Sequence, residues 1–571
     1  MSTKDKYLTF EEYPLRIPTE KRTINKLEFL ISELEQCGSM LTAKPVIKKW
    51  NKFASELDTD VSVIQVRYSL DTRDKVYKNA QNKVDELLPL LSNYTTKYER
   101  LLVKSRYRKD LEELYGKYLL KKYEVDLKCF DPKIIPELIE ENKLSTQYDE
   151  IMGSAKIKFR GGTYNLSQMG KFTSDADRET RKEATIAIDK WVDAHDEQIG
   201  EIYDKLVHLR DTMAKKLGFK NFVELGYYRL GRTDYNAKMV KGYRQQIKET
   251  VVPITAKLYK KQMIDLGIKD PQSFDYNLKF KSGNPAPVGD SKRLTSVAKA
   301  MYEDMSFESS GFINFMIDNH LLDLDAREGK APGGYCTYFP EYKAPFIFAN
   351  FNGTEHDVNV LCHEGGHAFQ AYLSADIKVP EYRNPTLESC EIHSMSMEFF
   401  AWPYMKNFFG KDAEKYKYSH LTDAIEFLPY GITVDEFQHW VYEHPNATHE
   451  QRCAKYTEIE KENLPHLRYN YTPSLAKGRR WLRQGHIFGS PFYYIDYTLA
   501  QVVAFQFLAE DLKNHAKAWK KYVKLCKMGG KYPFTELLEK ADLRNPFVDG
   551  NVKKNIAPLL KVLEKFDTSK F

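Results

Sequence analysis

The spacing of apolar positions divides the chain into a helical first part and a later part in which strands occur between helices. Through residues 19–150 apolar side chains recur at intervals of three and four, which predicts successive amphipathic helices. The polar group Asp58-Thr59-Asp60, between apolar runs, predicts a turn. The predicted helices of this part are Ile24–Gln36, Val61–Tyr68, Asp74–Ser105 and Lys109–Tyr123.

The next segment predicts a hairpin followed by a long helix. Residues 156–159 and 163–166 alternate in polarity, and Arg160-Gly161-Gly162 between them suits a tight turn. Ser174 is followed three residues later by Asp177, a pattern typical of a helix start, so we predict a helix from there towards Leu217.

From Gly333 onward the pattern changes from helices to strands. Residues 335–339 and 346–350 are rich in aromatic and branched side chains, which favours adjacent strands of a small sheet. Thr354, with Asp357 three residues later, then predicts the start of a largely apolar helix. We expect the sheet to lie beside this helix.

This helix carries the sequence His363-Glu364-Gly365-Gly366-His367. Residues four apart share one face of a helix, so His363 and His367 can bind a single metal ion. Glu364 projects beside them and can act as a general base towards water. Adjacent glycines cost up to about 1 kcal/mol each inside a helix, so their presence indicates close approach to the backbone. The spacing predicts zinc-assisted hydrolysis.

A third ligand is expected from a second, mostly apolar helix over residues 385–400. Glu388, Glu391 and Glu398 lie on one stripe of that helix, and such carboxylates are costly to bury unless they are paired or bind a metal. A histidine six residues after His367 would be another choice of ligand, but Leu373 occupies that position. Spacing alone leaves Glu388 and Glu391 both open.

Composition narrows the partners of the protein. The 86 basic and 80 acidic residues among 571 leave a net charge of only +6, which indicates neither nucleic acid nor an anionic membrane as a partner. The seven cysteines are odd in number and scattered, which argues for a reducing compartment. The first residues, Met1–Tyr7, lack an apolar signal core. We therefore expect a cytoplasmic protein.

The segments HEGGHAFQ and LESCEIHSMSMEFF together resemble the thimet oligopeptidase family of zinc peptidases, and within it the oligoendopeptidase F branch. Further matching stretches lie at residues 333–336, 344–353, 485–487, 491–497 and 529–533. The resemblance therefore extends over residues 150–560 and includes most of the chain.

The resemblance implies a ligand set. In this family the third ligand is the Glu that precedes a Ser by three residues and a second Glu by seven, a pattern that Glu391, Ser394 and Glu398 match. One zinc ion per chain, Zn²⁺, would then be bound by His363, His367 and Glu391. Glu398 would orient a ligand imidazole through a hydrogen bond.

The resemblance also implies residues that contact the substrate. The family uses a His and tyrosines to stabilise the oxyanion, and His486, Tyr494 and Tyr497 match them. In zinc peptidases of this architecture an edge strand pairs with the extended peptide. We expect residues 346–350 to be that edge. The predicted substrate-binding residues are Phe346, Phe348, Ala349 and Asn350.

The expected protein is mainly α, with a zincin-like catalytic core, a small β-sheet and two helical lobes around a deep substrate channel. Residues 1–150 would form an N-terminal lobe that serves as wall or lid, and residues 151–571 the catalytic region. The expected function is zinc-dependent endopeptidase action on short, unstructured oligopeptides. The alternatives are a zinc aminopeptidase with Glu388 as third ligand, and an inactive peptide-binding protein.

Overall fold

A computed structural model describes residues 8–571, and helices dominate this part of the chain, which confirms the predicted mainly α fold. The prediction made for Met1–Tyr7 lies outside the described residues. The helices before residue 286 are α1 (Glu20–Glu35), α2 (Met40–Leu70), α3 (Lys75–Val103), α4 (Arg108–Tyr115), α5 (Lys117–Cys129), α6 (Ile135–Gly153), α7 (Gly170–Thr173), α8 (Arg178–Lys216), α9 (Phe222–Arg229) and α10 (Ala237–Leu266).

The second half of the chain is also largely helical and contains the larger sheet. Its helices are α11 (Ser291–Met305), α12 (Phe307–Asp318), α13 (Glu355–Ser374), α14 (Leu387–Phe400), α15 (Met405–Phe409), α16 (Ala413–Glu443), α17 (His449–Asn463), α18 (Pro473–Ala476), α19 (Gly485–Gly489), α20 (Tyr494–Asp511), α21 (His515–Met528), α22 (Phe534–Lys540) and α23 (Asn551–Leu563). The strands of the chain are β1 (Ile157–Phe159), β2 (Gly162–Tyr164), β3 (Leu322–Asp325), β4 (Tyr335–Phe339) and β5 (Ala344–Phe351).

The chain divides into two compact units, each assembled from separate stretches of sequence. Unit 1 comprises the residues up to Pro132, Ala286–Lys411 and Gln506–Leu543. Unit 2 comprises Lys133–Pro285, Asp412–Phe505 and Arg544–Phe571. The predicted division at residue 150 into a lobe and a catalytic region stays a prediction.

In unit 1, α1 to α5 pack around an apolar core in which the rings of Trp50 and Tyr98 stack 3.9 Å apart. The turn predicted at residues 58–60 is wrong, because α2 runs through it. The polar side chains find partners without breaking the helix. Thr59 Oγ1 donates to Ser55 O (2.8 Å) within α2 and accepts from the Glu341 amide (3.0 Å).

The three-stranded sheet of unit 1 has the order β3-β5-β4. β5 pairs with β4 in the antiparallel direction, which confirms the two adjacent strands predicted from the sequence. The prediction that residues 346–350 form an edge is wrong, because β3 pairs in parallel with the opposite side of β5. The short Leu-Asp-Leu-Asp sequence of β3 carries little β-propensity, so the pattern did not indicate a third strand.

The four residues predicted to bind substrate therefore lie on a central strand. Phe346, Phe348 and Ala349 are each at most 1% exposed, so their side chains belong to the core. Asn350 donates its side-chain amide to the carbonyls of Ala331 and Gly333, both at 2.8 Å, and holds the loop before β4. Among the described strands of this sheet, the outermost are β3 and β4.

Unit 2 is organised by two long helices, α8 and α16, and by buried ion pairs. Arg210 donates to Glu141 at 2.6 Å, and Arg232 donates to Asp496 at 2.6 Å, with all four side chains nearly inaccessible to solvent. The hairpin of β1 and β2 is present as predicted. The cap of α8 differs from the prediction: Asp177, not Ser174, is the N-cap and accepts from the Thr180 amide.

A buried carboxyl in unit 1 gives a prediction about stability. Burial, together with the nearby carboxylates of Asp126 and Glu381, raises the pKa of Glu99 to about 9. The native state thus keeps a proton that the unfolded chain releases near pH 4.5, so stability is lost as pH rises through this window. We expect Glu99→Gln to stabilise the protein by about 3–5 kcal/mol at pH 8.

The measurement is the melting temperature of wild type and Glu99→Gln at pH 5 and at pH 8. The two proteins should differ little at pH 5, where both side chains are neutral, and the variant should melt higher at pH 8. Glu113→Gln, at an exposed position of α4, is the control and should change neither value. An equal effect of Glu99→Gln at both pH values would contradict the prediction.

Candidate metal centre

The helix α13 begins at the predicted residue but is held there in a different way. Thr354 is its N-cap, yet its side chain makes no capping hydrogen bond. Asp357 instead accepts from the backbone amides of Asn352 (3.0 Å) and Gly353 (2.7 Å), so its carboxylate fixes the turn between β5 and α13. This contact sets where the sequence His363–His367 lies relative to the sheet.

The helices α13 and α14 bring two imidazoles and one carboxylate together. Nε2 of His363 lies 3.2 Å from Oε2 of Glu391, and Nε2 of His367 lies 3.5 Å from the same oxygen. Burial would raise the pKa of the Glu391 carboxyl, yet the imidazoles of His367 and His363 lower it well below its ordinary value. The three potential ligand atoms are thus one carboxylate oxygen and two imidazole nitrogens.

The spacing of these three atoms suits a zinc ion. Zinc binds His nitrogens and carboxylate oxygens at about 2.0–2.2 Å in a tetrahedral arrangement, which places neighbouring ligand atoms about 3.3 Å apart. The observed separations of 3.2 and 3.5 Å match that value. The donor set of two nitrogens and one oxygen is also that of a catalytic zinc site, which takes three protein ligands.

The two glycines of α13 leave room for two neighbours, α14 at Gly366 and Tyr302 of α11 at Gly365. A Cβ atom at Gly366 would lie 2.7 Å from both His393 O and Ser394 Cα, so any larger residue would push the two helix backbones apart. A Cβ at Gly365 would overlap the hydroxyl of Tyr302. The close backbone approach expected from the adjacent glycines is therefore confirmed at Gly366, whereas Gly365 approaches a side chain.

Hydrogen bonds around the cluster orient its members. Oε1 of Glu398 accepts from Nδ1 of His363 at 2.7 Å, which leaves Nε2 of that ring facing Glu391. Ser394 Oγ donates to Oε2 of Glu391 at 3.0 Å. Farther from the cluster, the hydroxyl of Tyr522 on α21 donates to the carbonyl of His393 at 2.8 Å and fixes the backbone of α14.

We expect Glu398→Ala to weaken zinc binding by about 10–100-fold, because His363 loses the acceptor that fixes its tautomer and ring orientation. A competition titration of the purified protein against a chromophoric chelator measures this affinity. Wild-type zinc affinity in the variant would contradict the role given to Glu398.

The other two carboxylates of the motif occupy separate positions. Glu364 is 9% exposed and lies towards β4, where its charge adds to burial in raising the pKa of the Cys336 thiol. Glu388 is 1% exposed on α14. The carboxylate grouped with both imidazoles is that of Glu391, and its role as a ligand stays a prediction that this geometry supports.

The residues predicted to contact an oxyanion lie in unit 2 and form a cluster of their own. The imidazole of His486 packs 5.0 Å from the ring of Tyr494 and 5.6 Å from that of Tyr497. Nε2 of His486 lies 3.3 Å from the hydroxyl of Tyr497. The three predicted residues are thus brought together, while their role stays a prediction.

Sequence reasoning missed two residues that contact this cluster. Gln484 places Nε2 2.9 Å from Nδ1 of His486, and Tyr430 of α16 donates to Oε1 of Gln484 at 2.7 Å. The polar Gln484, two residues before His486, offered a weak local signal. Tyr430 lies far away in sequence, so no spacing pattern pointed to it.

A second group of potential metal ligands in unit 2 is occupied by an arginine. Asp196, His449 and Glu450 lie close together, but Arg479 donates to both carboxylates, to Glu450 at 2.9 Å. Burial would lower the pKa of His449, yet its hydrogen bond to Asp196 contributes to raising it to about 9. A charged imidazole and a guanidinium disfavour a cation there.

No helix within residues 8–571 is long and apolar enough to cross a membrane. Family comparison matches peptidase family M3 over residues 171–555 and the peptidase M3 N-terminal domain over residues 10–130.

Solved structures are similar along the whole chain. One assigned to oligoendopeptidase F is 44% identical with a TM-score of 0.95, over 99% of this chain and 100% of that one. PZ peptidase A, solved with an inhibitor, is 44% identical with a TM-score of 0.95, over 98% and 100%. A curated relative, the oligoendopeptidase F homolog of Borreliella burgdorferi, is 26% identical over 232 residues, 39% of this chain and 38% of that protein.

Proposed function

Because the chain belongs to peptidase family M3, in its oligoendopeptidase F branch, we propose that it is a zinc-dependent endopeptidase. Its substrates are short, unstructured oligopeptides that it hydrolyses at internal bonds. The observation that supports the metal most strongly is the separation of the His363, His367 and Glu391 ligand atoms, which equals that expected around zinc. A cytoplasmic location, proposed from the scattered cysteines, suits an enzyme of this kind.

The residues of unit 1 hold the ion and handle the proton. A bound zinc ion supplies Lewis acidity, which polarises a peptide carbonyl and makes water acidic enough to react at neutral pH. Glu364, the neighbour of His363 on α13, takes a proton from the attacking water and delivers it to the leaving amine. Glu398 keeps the Nδ1 proton of His363 in place, so that Nε2 can bind the metal.

The residues of unit 2 act on the developing negative charge. From the resemblance, His486 together with Tyr497 or Tyr494 hydrogen-bonds the carbonyl oxygen of the scissile bond. A hydrogen-bond donor to an oxygen that becomes negatively charged only in the transition state lowers the activation free energy by about 2.7–4 kcal/mol. These side chains would therefore contribute strongly to the rate.

The test is mass spectrometry of a decapeptide blocked at both ends, incubated with purified, zinc-loaded protein. The same peptide with a free N-terminus and a Glu364→Gln sample are run in parallel. Zinc content is measured on the same preparations. Cleavage of the blocked peptide at an internal bond by wild type alone is the expected result.

Other results would change the assignment. Trimming of the free peptide with the blocked one left intact would indicate an aminopeptidase and reopen Glu388 as third ligand. Stoichiometric zinc without cleavage of either peptide would indicate a peptide-binding protein that keeps the fold.

A further inference from the structure

A chain of hydrogen bonds in unit 2 connects a helix interior to the residues of the proposed oxyanion site. The hydroxyl of Tyr430 lies 2.7 Å from Oε1 of Gln484. Nε2 of Gln484 lies 2.9 Å from Nδ1 of His486. Nε2 of His486 lies 3.3 Å from the hydroxyl oxygen of Tyr497. The chain thus passes through four side chains from α16 to α20.

The chemistry of these groups gives the chain one direction. A side-chain amide oxygen only accepts, so Tyr430 is the donor to Gln484. The amide nitrogen only donates, so Nδ1 of His486 must be the acceptor and carry no proton. In a neutral imidazole the proton then resides on Nε2, which donates to Tyr497.

We propose that Gln484, held by Tyr430, is a positioning residue that keeps His486 in the tautomer with its proton on Nε2. The inference rests on the proposed function, in which His486 must donate to the substrate oxygen. The proton on Nε2 supplies that donor without an ionised imidazole. The 3.3 Å separation from Tyr497 is long for a hydrogen bond, so the Nε2–H group can exchange this acceptor for a substrate oxygen and keep its proton.

The positions of Tyr494 and Tyr497 around the His486 imidazole give the two candidate tyrosines different roles. The hydroxyl of Tyr497 is the one that lies within reach of Nε2 of His486, so Tyr497 is the candidate for a second donor to the same substrate oxygen. Tyr494 packs its ring against the imidazole, with centroids 5.0 Å apart, and limits how the imidazole can turn. Hydrogen bonds in a directed chain polarise one another, so the Tyr430 and Gln484 contacts strengthen Nε2–H of His486 as a donor.

Tyr430, the first residue of this chain of hydrogen bonds, is held in place by its neighbours. The Arg480 guanidinium lies 4.5 Å from the centroid of the Tyr430 ring and is itself paired with Glu460 at 3.1 Å. Gln484 is the N-cap of α19, and its backbone amide donates to Trp481 O at 2.9 Å. Because the phenol of Tyr430 and the backbone of Gln484 are both held, the side-chain amide of Gln484 has little freedom to rotate.

The experiment compares Gln484→Leu and Tyr430→Phe with wild type in the zinc-loaded, full-length protein. Tyr418→Phe, which removes a hydroxyl from the same helix outside this chain, is the control. For each protein kcat and KM are measured on the blocked decapeptide. The tautomer of His486 is measured by ¹⁵N NMR of the imidazoles, assigned by difference with His486→Gln.

We expect Gln484→Leu to lower kcat by at least about tenfold with KM little changed, and Tyr430→Phe to lower it by about two- to tenfold. Both variants should show His486 with its proton shared between Nδ1 and Nε2, whereas wild type and Tyr418→Phe show it on Nε2. Wild-type kcat in Gln484→Leu, a change confined to KM, or an unchanged tautomer in both variants would overturn the inference. If wild type fails to cleave the peptide, the proposed function fails, and the NMR comparison still decides whether Gln484 sets the tautomer.

Discussion

Replacing Glu364 with Gln is expected to lower kcat by about 10²–10⁴-fold, the contribution typical of a positioned general base. The amide has the shape of the carboxylate but cannot take a proton from water. The ligand atoms of His363, His367 and Glu391 are untouched, and their spacing is set by the close contact of α13 with α14 at Gly366. The variant should therefore keep its zinc while it loses turnover.

The measurement pairs single-turnover cleavage of the blocked decapeptide with zinc content by atomic absorption on the same sample. KM and the melting temperature should stay close to wild type, since Glu364 is neither a predicted ligand nor part of the sheet. A Glu364→Gln protein that has lost its zinc would assign to Glu364 a structural role in the centre. A protein that keeps both zinc and rate would remove Glu364 from the reaction.

The parts of the site that lie close in sequence could be predicted, because helical spacing alone brings them together. His363 and His367 are one helical turn apart, and the adjacent glycines between them indicated a neighbouring backbone. The bounds of α13 and α14 followed from their flanking turn residues and apolar content. Local physics determines these features, so the pattern was sufficient.

Features set by distant segments could not be predicted. β3 has a sequence with little strand character and forms because β5 offers it a partner, so the edge was placed on the wrong strand. The Asp58–Asp60 stretch stays helical because Thr59 and Asp60 meet Glu341 and Arg16 from other parts of unit 1. Tyr430 reaches Gln484 only once α16 has packed.

Spacing alone left Glu388 and Glu391 both open as third ligand, and the test of that choice is the second large effect. We expect Glu391→Gln to weaken zinc affinity by more than the about 10–100-fold expected at Glu398, because it removes an anionic ligand rather than a partner of one. Hydrolysis should fall to background at ordinary zinc concentrations. Glu388→Gln, three residues away on the same helix, should keep both zinc and turnover.

This pair of variants is closely matched, since both carboxylates are at least 95% buried on α14 and each loses only its charge. Equilibrium dialysis with zinc gives the affinity, and cleavage of blocked and free decapeptides gives the activity. If both variants lost zinc equally, the loss would reflect the burial of α14 rather than ligation. Loss of zinc in Glu388→Gln alone would make Glu388 the ligand and favour an aminopeptidase. Because Oε2 of Glu391 already lies within 3.5 Å of both imidazole nitrogens, the geometry favours loss in Glu391→Gln alone.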